Sequence, residues 1–491
     1  MKGSSFVRAP RKKPTRKIAP VITARLNGHF SLQMQADGSI AAFVDGYSVN
    51  LGQLSTAAMD RARNLTDGLS LASFAGKSAI AREVDALVHR LARHGLLEYH
   101  LFFPRDEQVL VVIEPQVPEY WPQRAKLGES DTVVLSRFAY LHRRGNEMVL
   151  ESPRAGALFR IGDPAIAATV AALSRPHKVS RLRRHAASFN LDLLELLLDS
   201  QLLLKLDANS GDGLRVNEGD GNLVLWDFHD LVFHTRSTEG RHANPVGSTF
   251  AYASVAPPLP AVRPPWPGKK IDLRKLPTSD PISPFAKLLR ARHSVRDFDD
   301  AHPITLAELA RFLDATARVM SEWKSDTSFG GSPELTYSTR PYPSAGSAYE
   351  LELYLAVSNC EGLARGLYHY DAGGHALVAI GVSAPQLQAL SAAAEFAMDA
   401  SGPPQVLITI AARFGRISWK YSSIAYSLIL KDVGSLIQTF YLATTDMGLG
   451  GCAIGTSNID LFAKMTGLEF HVEGPVGQFA LGRGKKPETP R

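Results

Sequence analysis

The 491-residue sequence has few cysteines and no long apolar run, and each scarcity excludes a class of protein. Cys360 and Cys452 are its two cysteines, and neither belongs to a closely spaced Cys or Cys/His pair. That spacing argues against a disulfide scaffold and a zinc site, and it fits a reducing, cytoplasmic compartment. No run approaches the roughly 18 consecutive apolar residues of a membrane span, so no membrane partner is expected.

Acidic residues are also missing from the start of the chain, which is strongly basic. The first acidic residue is Asp37, and the basic residues before it are Lys2, Arg8, Arg11, Lys12, Lys13, Arg16, Lys17 and Arg25. Because the formal net charge is +6, the rest of the chain carries about −2. Residues 1–25 are predicted to form a disordered tail, not a signal peptide, because they lack an apolar segment. The tail either solvates the protein or contacts an acidic peptide or nucleic acid.

The composition is that of a globular protein with more than one domain. Hydrophobic residues make up 45% and charged residues 21% of the chain, enough to bury more than one core. Residues 256–284 contain nine prolines. Proline fixes φ and removes a hydrogen-bond donor, so this stretch is predicted to be an extended linker at the main domain boundary.

Before the linker, residues 26–125 and 126–255 are predicted to be two copies of one module. Each has a strand or hairpin, short helices, a longer helix and a Leu-rich strand, the order of a winged helix. The last helix of the first copy, "REVDALVHRLARHG", has mixed charge, which disfavours nucleic acid and favours a peptide held along a wing strand. His229, His234 and His242 follow at spacings that do not share a helical face, so structural roles and no metal site are expected.

After the linker the pattern is mixed helix and strand. Thr305 and Glu308 form a capping box that opens a helix at 303–320. Strands are predicted at 350–357, 405–414 and 475–483, and a hairpin turns at Gly373-Gly374. Residues 425–448 predict a long helix, apolar nearly all round and therefore buried, in which Gly434 indicates close approach of another helix, for example across a dimer.

Four short motifs in this half could carry chemistry. In "ARHSVRDF", an extended chain would project Arg292, Ser294 and Arg296 to one side as a phosphate cradle, although an exposed charged strand is equally compatible. "PSAG" predicts a tight turn that admits a flat ligand, and Arg483 after the last strand is a second phosphate ligand. "GLGGCAIG" matches a dinucleotide fingerprint only formally, because it ends a helix; Gly448 is expected at its C′ position.

A further candidate is the pair Lys420-Tyr421 in "ISWKYSSIAY", between an expected strand and the long helix. From the residues alone, it is either an active-site pair or a snorkelling lysine beside a packing tyrosine.

Taken together, "RHSVRDF", "PSAGSAYELELYLAV", "GLYHYD", "WKY", "MGLGGCAIG" and "LGR" resemble the FMN-dependent nitroreductase superfamily over roughly residues 285–485. With "WDFHDLVFHTRSTEGRHANP" upstream, the chain is most similar to the microcin- and streptolysin-type azoline dehydrogenases of thiazole/oxazole-modified peptide biosynthesis. This resemblance implies an α+β homodimer with FMN at the subunit interface, residues 285–491 forming the oxidase domain. It also implies peptide-clamp repeats that hold a precursor peptide, and a cooperating cyclodehydratase.

The resemblance assigns roles to matching residues. Arg292, His293, Ser294 and Arg296 would contact the FMN phosphate and ribityl chain, and Arg483 the phosphate. Pro343, Ser344 and Gly346 would lie along the flavin from the partner subunit, and Gly450 and Gly451 by its ring. Lys420 and Tyr421 would be catalytic. Glu350 departs from the pattern, because relatives commonly have proline there.

The implied reaction removes two hydrogens from a thiazoline or oxazoline ring, one as a hydride to the flavin and one as a proton to a base. Tyr421 with Lys420 as its modulator, or the reverse, would be that base, provided that partial burial and mutual proximity lower their pKa values. Two alternatives remain open: an NAD(P)H-dependent flavin reductase for small molecules, and a binding scaffold that has lost activity.

Overall fold

The computed structural model consists of two compact units, Met1–Gly211 and Asp212–Arg491. The residues it describes are 20–28, 30–35, 39–44, 47–75, 78–103, 108–185, 190–206, 221–244, 246–276, 282–325 and 334–485. Of the basic tail predicted for residues 1–25, residues 1–19 lie outside the described residues. Among the described residues, no helix is both long enough and apolar enough to cross a membrane.

The first unit is rich in strands. Its strands are β1 (Val21–Leu26), β2 (Ser31–Met34), β3 (Ser39–Val44), β4 (Tyr47–Gln53), β5 (Leu69–Ser70), β6 (Leu97–Phe103), β7 (Gln108–Pro115), β8 (Thr132–Leu135), β9 (Tyr140–Arg144), β10 (Glu147–Glu151), β11 (Ala157–Ile161), β12 (His177–Lys178) and β13 (Leu203–Leu206). Its helices are α1 (Thr56–Arg63), α2 (Ala79–Arg93), α3 (Pro164–Ala172), α4 (Val179–His185) and α5 (Leu191–Asp199). The strands form sheets in the orders β5-β1-β6-β7-β11-β10-β9, β12-β8-β13 and β2-β3-β4.

Two copies of one topology make up this unit. The first copy runs β1, α1, β5, a 3₁₀ turn, α2, β6, and the second runs β8, α3, β12, α4, α5, β13. Each copy pairs its strands in the same antiparallel order, β5-β1-β6 and β12-β8-β13. A three-stranded insertion follows the first strand in both copies, β2–β4 in one and β9–β11 in the other. The two copies therefore share one element order and one strand pairing, whereas their assignment to the winged-helix type remains a prediction.

The apolar spacing of the last helix explains why each copy folds. On α2 the residues Val84, Leu87, Val88 and Leu91 recur at helical spacing and are buried. On α5 the buried residues are leucines at 193, 194, 196 and 197. An amphipathic helix buries one such face against a sheet, which is how both helices contribute to a common hydrophobic core.

The second unit contains a sheet with helices on both faces. Its helices are α6 (Phe228–Arg236), α7 (Pro284–Ala291), α8 (Leu306–Ala317), α9 (Ala384–Met398), α10 (Phe414–Ser418), α11 (Ala425–Asp446) and α12 (Ile459–Thr466). Its strands are β14 (Ser321–Lys324), β15 (Thr336–Thr339), β16 (Leu351–Val357), β17 (Gly366–Asp371), β18 (Ala376–Ile380), β19 (Val406–Arg413), β20 (Gly450–Ile454) and β21 (Glu473–Gly482).

The main sheet has the order β18-β17-β16-β19-β21-β20, and every neighbouring pair is antiparallel. Helices α8 and α11 pack together, and α11 also packs on β20 and β21. Helices α9 and α12 contribute to a core with Tyr354 and Leu407 of the central strands. The mixed α+β class, the capping box on α8, the three strands and the hairpin are all confirmed.

Helix α11 differs from its prediction in one respect. One face carries exposed residues at Ser427, Lys431, Gly434 and Gln438, so the helix is not buried all round within the chain. Nothing lies within 4 Å of the place where a Cβ on Gly434 would be. Close approach of another helix at this glycine therefore remains a prediction about a second copy.

The boundary between the compact units also differs from the predicted one. Residues 221–244 belong with the second unit, although the sequence assigned 126–255 to a single module. The reason is an aromatic cluster: the buried Trp226 ring lies 4.5 Å from Phe414 and its Nε1 donates to the carbonyl of His471 at 2.7 Å. His234, fully buried beside it, pairs through Nδ1 with the Tyr426 hydroxyl at 3.1 Å. The other predicted domain bounds remain predictions.

Burial explains the role of His234. It lowers the pKa of this imidazole to about 3, so the ring stays neutral and packs as an aromatic group. His229 is exposed and next to Asp227. Among the described residues, no three His, Cys, Asp or Glu side chains are grouped to hold a metal ion.

We predict that Trp226→Ala lowers the free energy of unfolding of the second unit by about 3–5 kcal/mol, because it removes a buried ring and its hydrogen bond. Trp266, which is 74% exposed, supplies the matched control: Trp266→Ala should cost less than about 0.5 kcal/mol. Urea unfolding followed by circular dichroism measures both. Equal, small effects would contradict the packing of residues 221–244 on this unit.

Candidate active site

Lys420 and Tyr421 lie in the short connection between α10 and α11. Phe414 at the start of α10 and Tyr426 at the start of α11 are both buried in the aromatic cluster, so both ends of this connection are anchored. Between them Lys420 is exposed, Tyr421 is half-buried and Trp419 is 54% exposed. The pair therefore does not occupy the first turn of the long helix. Within this chain the expected partial burial is present at Tyr421 and not at Lys420.

Both side chains converge on one glycine. Gly346 adopts a left-handed conformation, with φ +56°. A Cβ built on it would lie 2.7 Å from Lys420 Nζ and would overlap the hydroxyl of Tyr421. Lys420 Nζ donates to the carbonyl oxygen of Gly346 at 3.4 Å, and it also lies 5.4 Å from the centre of the Tyr337 ring. The predicted turn and the predicted pair thus meet in the same chain, and only glycine fits where they meet.

Two buried carboxyl groups lie behind this turn. Asp432 on α11 accepts from Ser344 Oγ at 2.8 Å and from the backbone N–H of Ala345 at 2.9 Å. Glu350, immediately before β16, is fully buried. Burial, reinforced by the negative charge of Asp432, raises the pKa of Glu350 to about 7. We call Gly346, Lys420, Tyr421 and the residues that hold this turn the turn group.

A second cluster forms around Tyr441, near the other end of α11. The Tyr441 oxygen accepts from the backbone N–H of Ala453 at 2.9 Å, so its own proton is free to be donated to Ser294 Oγ, also at 2.9 Å. The Arg292 guanidinium lies 5.1 Å from the centre of the Tyr441 ring. Arg296 lies beside the Cys452 thiol, whose pKa burial raises. We call this set the arginine group.

Neither Arg292 nor Arg296 forms an ion pair among the described residues. Their side chains share one side of the segment with the Ser294 hydroxyl, as the extended pattern predicted. Two guanidiniums and a hydroxyl in this arrangement are suited to a phosphate group.

Gly450 and Gly451 lie in β20, beside the arginine group. A Cβ on Gly450 would lie 2.7 Å from Val295 Cγ1, and one on Gly451 would overlap the Phe479 ring. The Val295 N–H donates to the Gly451 carbonyl at 2.9 Å. Packing within the chain therefore accounts for both glycines. Gly448, with φ +66°, follows Met447, the C-cap residue of α11. It therefore occupies the C′ position, as predicted.

Arg483 and His293 are placed differently from the other predicted phosphate ligands. Arg483 Nη2 donates to both carboxylate oxygens of Glu308, at 2.8 and 2.7 Å, and its Nε donates to the carbonyl of His302. His293 is exposed, and its Nδ1 lies 3.0 Å from the carbonyl of Ala291. Arg483 therefore already has a carboxylate partner, and a phosphate would have to share or replace it.

The two groups lie on opposite faces of α11. Asp432 and Tyr441 are nine positions apart on this helix. At 1.5 Å and about 100° per residue, they are about 13 Å apart along the axis and about half a turn apart around it. One flat ligand in contact with both groups would therefore have to reach them from different sides of the helix.

Two residues that organise the site, Asp432 and Tyr441, were not predicted from the sequence. Each lies in an otherwise apolar helix, and a lone acid in the run "LILKDVGSLI" is a signal for a buried, hydrogen-bonded carboxyl group. Tyr441 has no comparable signal, because a tyrosine in an apolar helix is ordinary packing.

Two family models match parts of the chain. Residues 289–483 match the model of the nitroreductase family, and residues 133–243 match the model described as cyanobactin oxidase ThcOx. A curated protein of Methanocaldococcus jannaschii named as a nitroreductase is 32% identical over 168 residues, which are 34% of this chain and 76% of that relative. The chain belongs to the nitroreductase family. The expected superfamily is therefore confirmed, and the ThcOx match supports the resemblance to peptide-modifying oxidases.

Solved structures show weaker likeness. A nitroreductase-family structure from Ralstonia eutropha is 23% identical, covering 46% of this chain and 98% of its own, with a TM-score of 0.32. The E. coli microcin synthetase McbBCD complex, solved with truncated pro-MccB17 bound, is 19% identical, covering 54% of this chain and 97% of that one, with a TM-score of 0.38. Because both TM-scores are low, the assignment of this chain to the nitroreductase family rests on the sequence matches and not on these structures.

We predict that Gly346→Ala displaces the ends of Lys420 and Tyr421, since a Cβ would occupy their meeting point. Gly467→Ala is the matched control, because Gly467 also has a positive φ, of +74°, but has nothing within 4 Å of the Cβ position. Both changes should cost about 1 kcal/mol of stability from backbone strain. After reductive ¹³C-methylation of lysines, only Gly346→Ala should shift the NMR signal of Lys420. An unshifted signal would contradict the contact.

Proposed function

We propose that this nitroreductase-family protein is an FMN-dependent azoline dehydrogenase, which oxidises thiazoline or oxazoline rings of a ribosomally made precursor peptide to thiazoles or oxazoles. The observation that carries the proposal is the convergence of Lys420 and Tyr421 on the Gly346 turn. The match of residues 133–243 to the cyanobactin oxidase model supports a peptide-modifying role. That segment lies outside the part that matches the nitroreductase model.

The arginine group has the chemistry that FMN needs. Arg292 and Arg296, which form no ion pair within the described part of the chain, would hold the phosphate and the adjoining ribityl oxygens together with the Ser294 hydroxyl. The turn group, with the open conformation of Gly346, would lie along the ring system. When bound, FMN supplies the acceptor for the two electrons that leave the azoline ring.

The chain's own task is to take the proton from the carbon next to the nitrogen of the azoline ring. Tyr421, with its hydroxyl at the turn, is the proposed base, and Lys420 is its modulator. An ammonium close to a phenol favours the phenolate, and the effect strengthens when a bound substrate excludes water. Because this chain alone leaves Lys420 exposed, the substrate and a second subunit have to provide that exclusion.

We further propose a homodimer in which each site takes its arginine group from one subunit and its turn group from the other. The opposite placement of the two groups on α11 supports this arrangement. Residues 250–276 also expose large apolar side chains, among them Phe250 (80%), Leu259 (91%) and Trp266 (74%). Exposed apolar stretches of this kind are typical of surfaces that bind another protein.

The winged-helix repeats of the first unit are proposed to hold the precursor peptide along a strand edge, with a cyclodehydratase supplying the azoline. The alternative is an NAD(P)H-dependent reductase of small molecules, which the name of the Methanocaldococcus relative favours. Anaerobic mixing separates them: an azoline peptide should bleach the flavin, whereas bleaching by NAD(P)H alone would favour the reductase.

We predict that Tyr421→Phe and Lys420→Ala retain bound flavin but lower kcat for azoline oxidation by about 10²–10⁴-fold, the usual contribution of a general base. Mass spectrometry detects the reaction as loss of two hydrogens per ring. Tyr368→Phe serves as a control, because the Tyr368 hydroxyl donates to the carbonyl of Ala364, just before β17. Full turnover in both test variants would refute the catalytic assignment.

We also predict that Arg292→Ala combined with Arg296→Ala weakens FMN binding at least tenfold, since each charged hydrogen bond is worth about 1.5–3 kcal/mol. Arg318→Ala is the control, because that surface arginine pairs with Asp314. Fluorescence titration of FMN into flavin-free protein measures the affinity. Unchanged affinity in the double variant would place the phosphate elsewhere.

A further inference from the structure

The 344–347 turn is held from behind by two buried carboxyl groups. Asp432 is 6% exposed and accepts from Ser344 Oγ and from the N–H of Ala345. Glu350 is fully buried, and its Oε2 lies 3.4 Å from Ser344 Oγ. Its other oxygen, Oε1, has no hydrogen-bond partner among the described residues. Burying a carboxylate in this way is costly unless the group is neutral.

The hydrogen bonds around Ser344 indicate which of the two carboxyl groups carries a proton. A serine hydroxyl has one proton to donate and two lone pairs that accept. The Ser344 proton goes to Asp432 at 2.8 Å, and the Tyr349 N–H donates to one lone pair at 3.0 Å. Ser344 Oγ also lies 3.4 Å from Glu350 Oε2, and the Glu350 and Asp432 carboxyl groups lie within hydrogen-bonding reach of each other. Two carboxyl groups form a hydrogen bond only if one of them carries a proton, and Glu350 is the one whose pKa burial raises.

We propose that Glu350 and Asp432 act as a positioning pair, in which Glu350 carries a proton, and that this pair fixes the 344–347 turn on which Lys420 and Tyr421 converge. This positioning role adds to the proposed function, and its effect on catalysis depends on that function. Both carboxyl groups are buried behind the turn, so they act through it and are positioning residues.

The consequence for the active site follows from the geometry of the turn. The Asp432 bonds fix Ser344 and Ala345, and the next residue is Gly346, whose carbonyl accepts from Lys420 Nζ. If Glu350 loses its proton, two carboxylates and an oxygen lone pair face one another around Ser344 in a site from which water is excluded. The turn must then shift, and the lysine ammonium loses its fixed acceptor.

Other charged groups around Glu350 do not neutralise it. Tyr342 is buried nearby, and burial raises its pKa, so it stays neutral. Arg340 donates to the carbonyl of Leu351, and Arg416 donates to those of Ala348 and Thr336. Arg413 meets Glu350 only through backbone atoms, its side chain pairing with Glu352. Lys420 lies on the far side of the turn, where it bonds the Gly346 carbonyl.

The sign of the pH dependence follows from the raised pKa. Glu350 holds its proton more tightly in the folded chain, at about 7, than in an unfolded chain, where the value is 4.5. The contribution to stability is therefore complete below about pH 4.5 and is lost as the pH rises through 7. Glutamine at this position keeps a donor and cannot ionise, so it removes this part of the pH dependence.

The test compares three variants with the wild type. Glu350→Gln imitates the protonated side chain, Glu350→Ala removes the donor, and Asp432→Asn keeps an oxygen for Ser344 and Ala345 while removing the charge. Glu361→Gln is the control, because Glu361 is an exposed carboxylate beyond the other end of β16. The full-length, FMN-loaded protein is used throughout.

The first readout needs no substrate: the urea midpoint of unfolding is measured from pH 5 to pH 8.5. The urea midpoints of the wild type and Glu361→Gln should fall as the pH rises, whereas that of Glu350→Gln should fall less than half as much. The second readout is the pH profile of kcat with an azoline peptide. At pH 6 Glu350→Gln should retain more of the wild-type kcat than Glu350→Ala does, and it should lose the alkaline decline. Glu350→Ala should lower kcat at least tenfold with KM and FMN content unchanged.

The same fall of the midpoint in the wild type and Glu350→Gln would overturn the inference, as would an equal effect of Glu361→Gln. If Glu350→Ala fails to fold, Asp432→Asn decides: the inference requires that it lower kcat without changing FMN content, and unchanged kcat overturns it. A wild type with no azoline activity but with the expected pH-dependent midpoints would instead refute the proposed function alone.

Discussion

Helix α11 imposes the constraint on which the proposed site depends. It carries Asp432, which holds the turn group, and Tyr441, which organises the arginine group, about half a turn apart around its axis. A rigid helix cannot bring both faces to one ligand. The helix therefore separates within one chain two sets of residues whose chemistry belongs together, a base next to a turn and guanidiniums suited to a phosphate. A second copy of the chain removes the conflict, since it can present the opposite face.

The aromatic cluster around Trp226 and His234 complements this constraint. It anchors Phe414 and Tyr426, the two residues that border the Lys420-Tyr421 connection. The segment that supplies Trp226 and His234 lies before the proline-rich stretch and inside the region that matches the cyanobactin oxidase model. Sequence far upstream of the nitroreductase region thus helps to hold the pair in place, which gives this region a structural task besides any contact with peptide.

Local patterns in the sequence predicted the elements well. The capping box of Thr305 and Glu308 and the alternation of the strands depend on neighbouring residues, so they can be recognised from the chain alone. The convergence of Gly346 with Lys420, and the partnership of Arg483 with Glu308, join residues far apart in the sequence. Glu350 illustrates the limit of local patterns. In the sequence it is only a departure from a familiar motif, whereas its burial against Asp432 depends on tertiary packing.

The central claim, that each site combines the arginine group of one subunit with the turn group of the other, is tested most directly by mixed dimers. A chain with Arg292→Ala and Arg296→Ala is co-expressed with a chain carrying Tyr421→Phe. Turnover is measured at an FMN concentration that loads wild-type sites but not sites without the two arginines, so each chain alone has little activity. A composite site leaves one intact site in every mixed dimer, so random pairing should restore about a quarter of wild-type turnover. Mixing Lys420→Ala with Tyr421→Phe chains, whose defects lie in one group, should restore none. No recovery in the first mixture would contradict the composite site and place both groups of one site in a single chain.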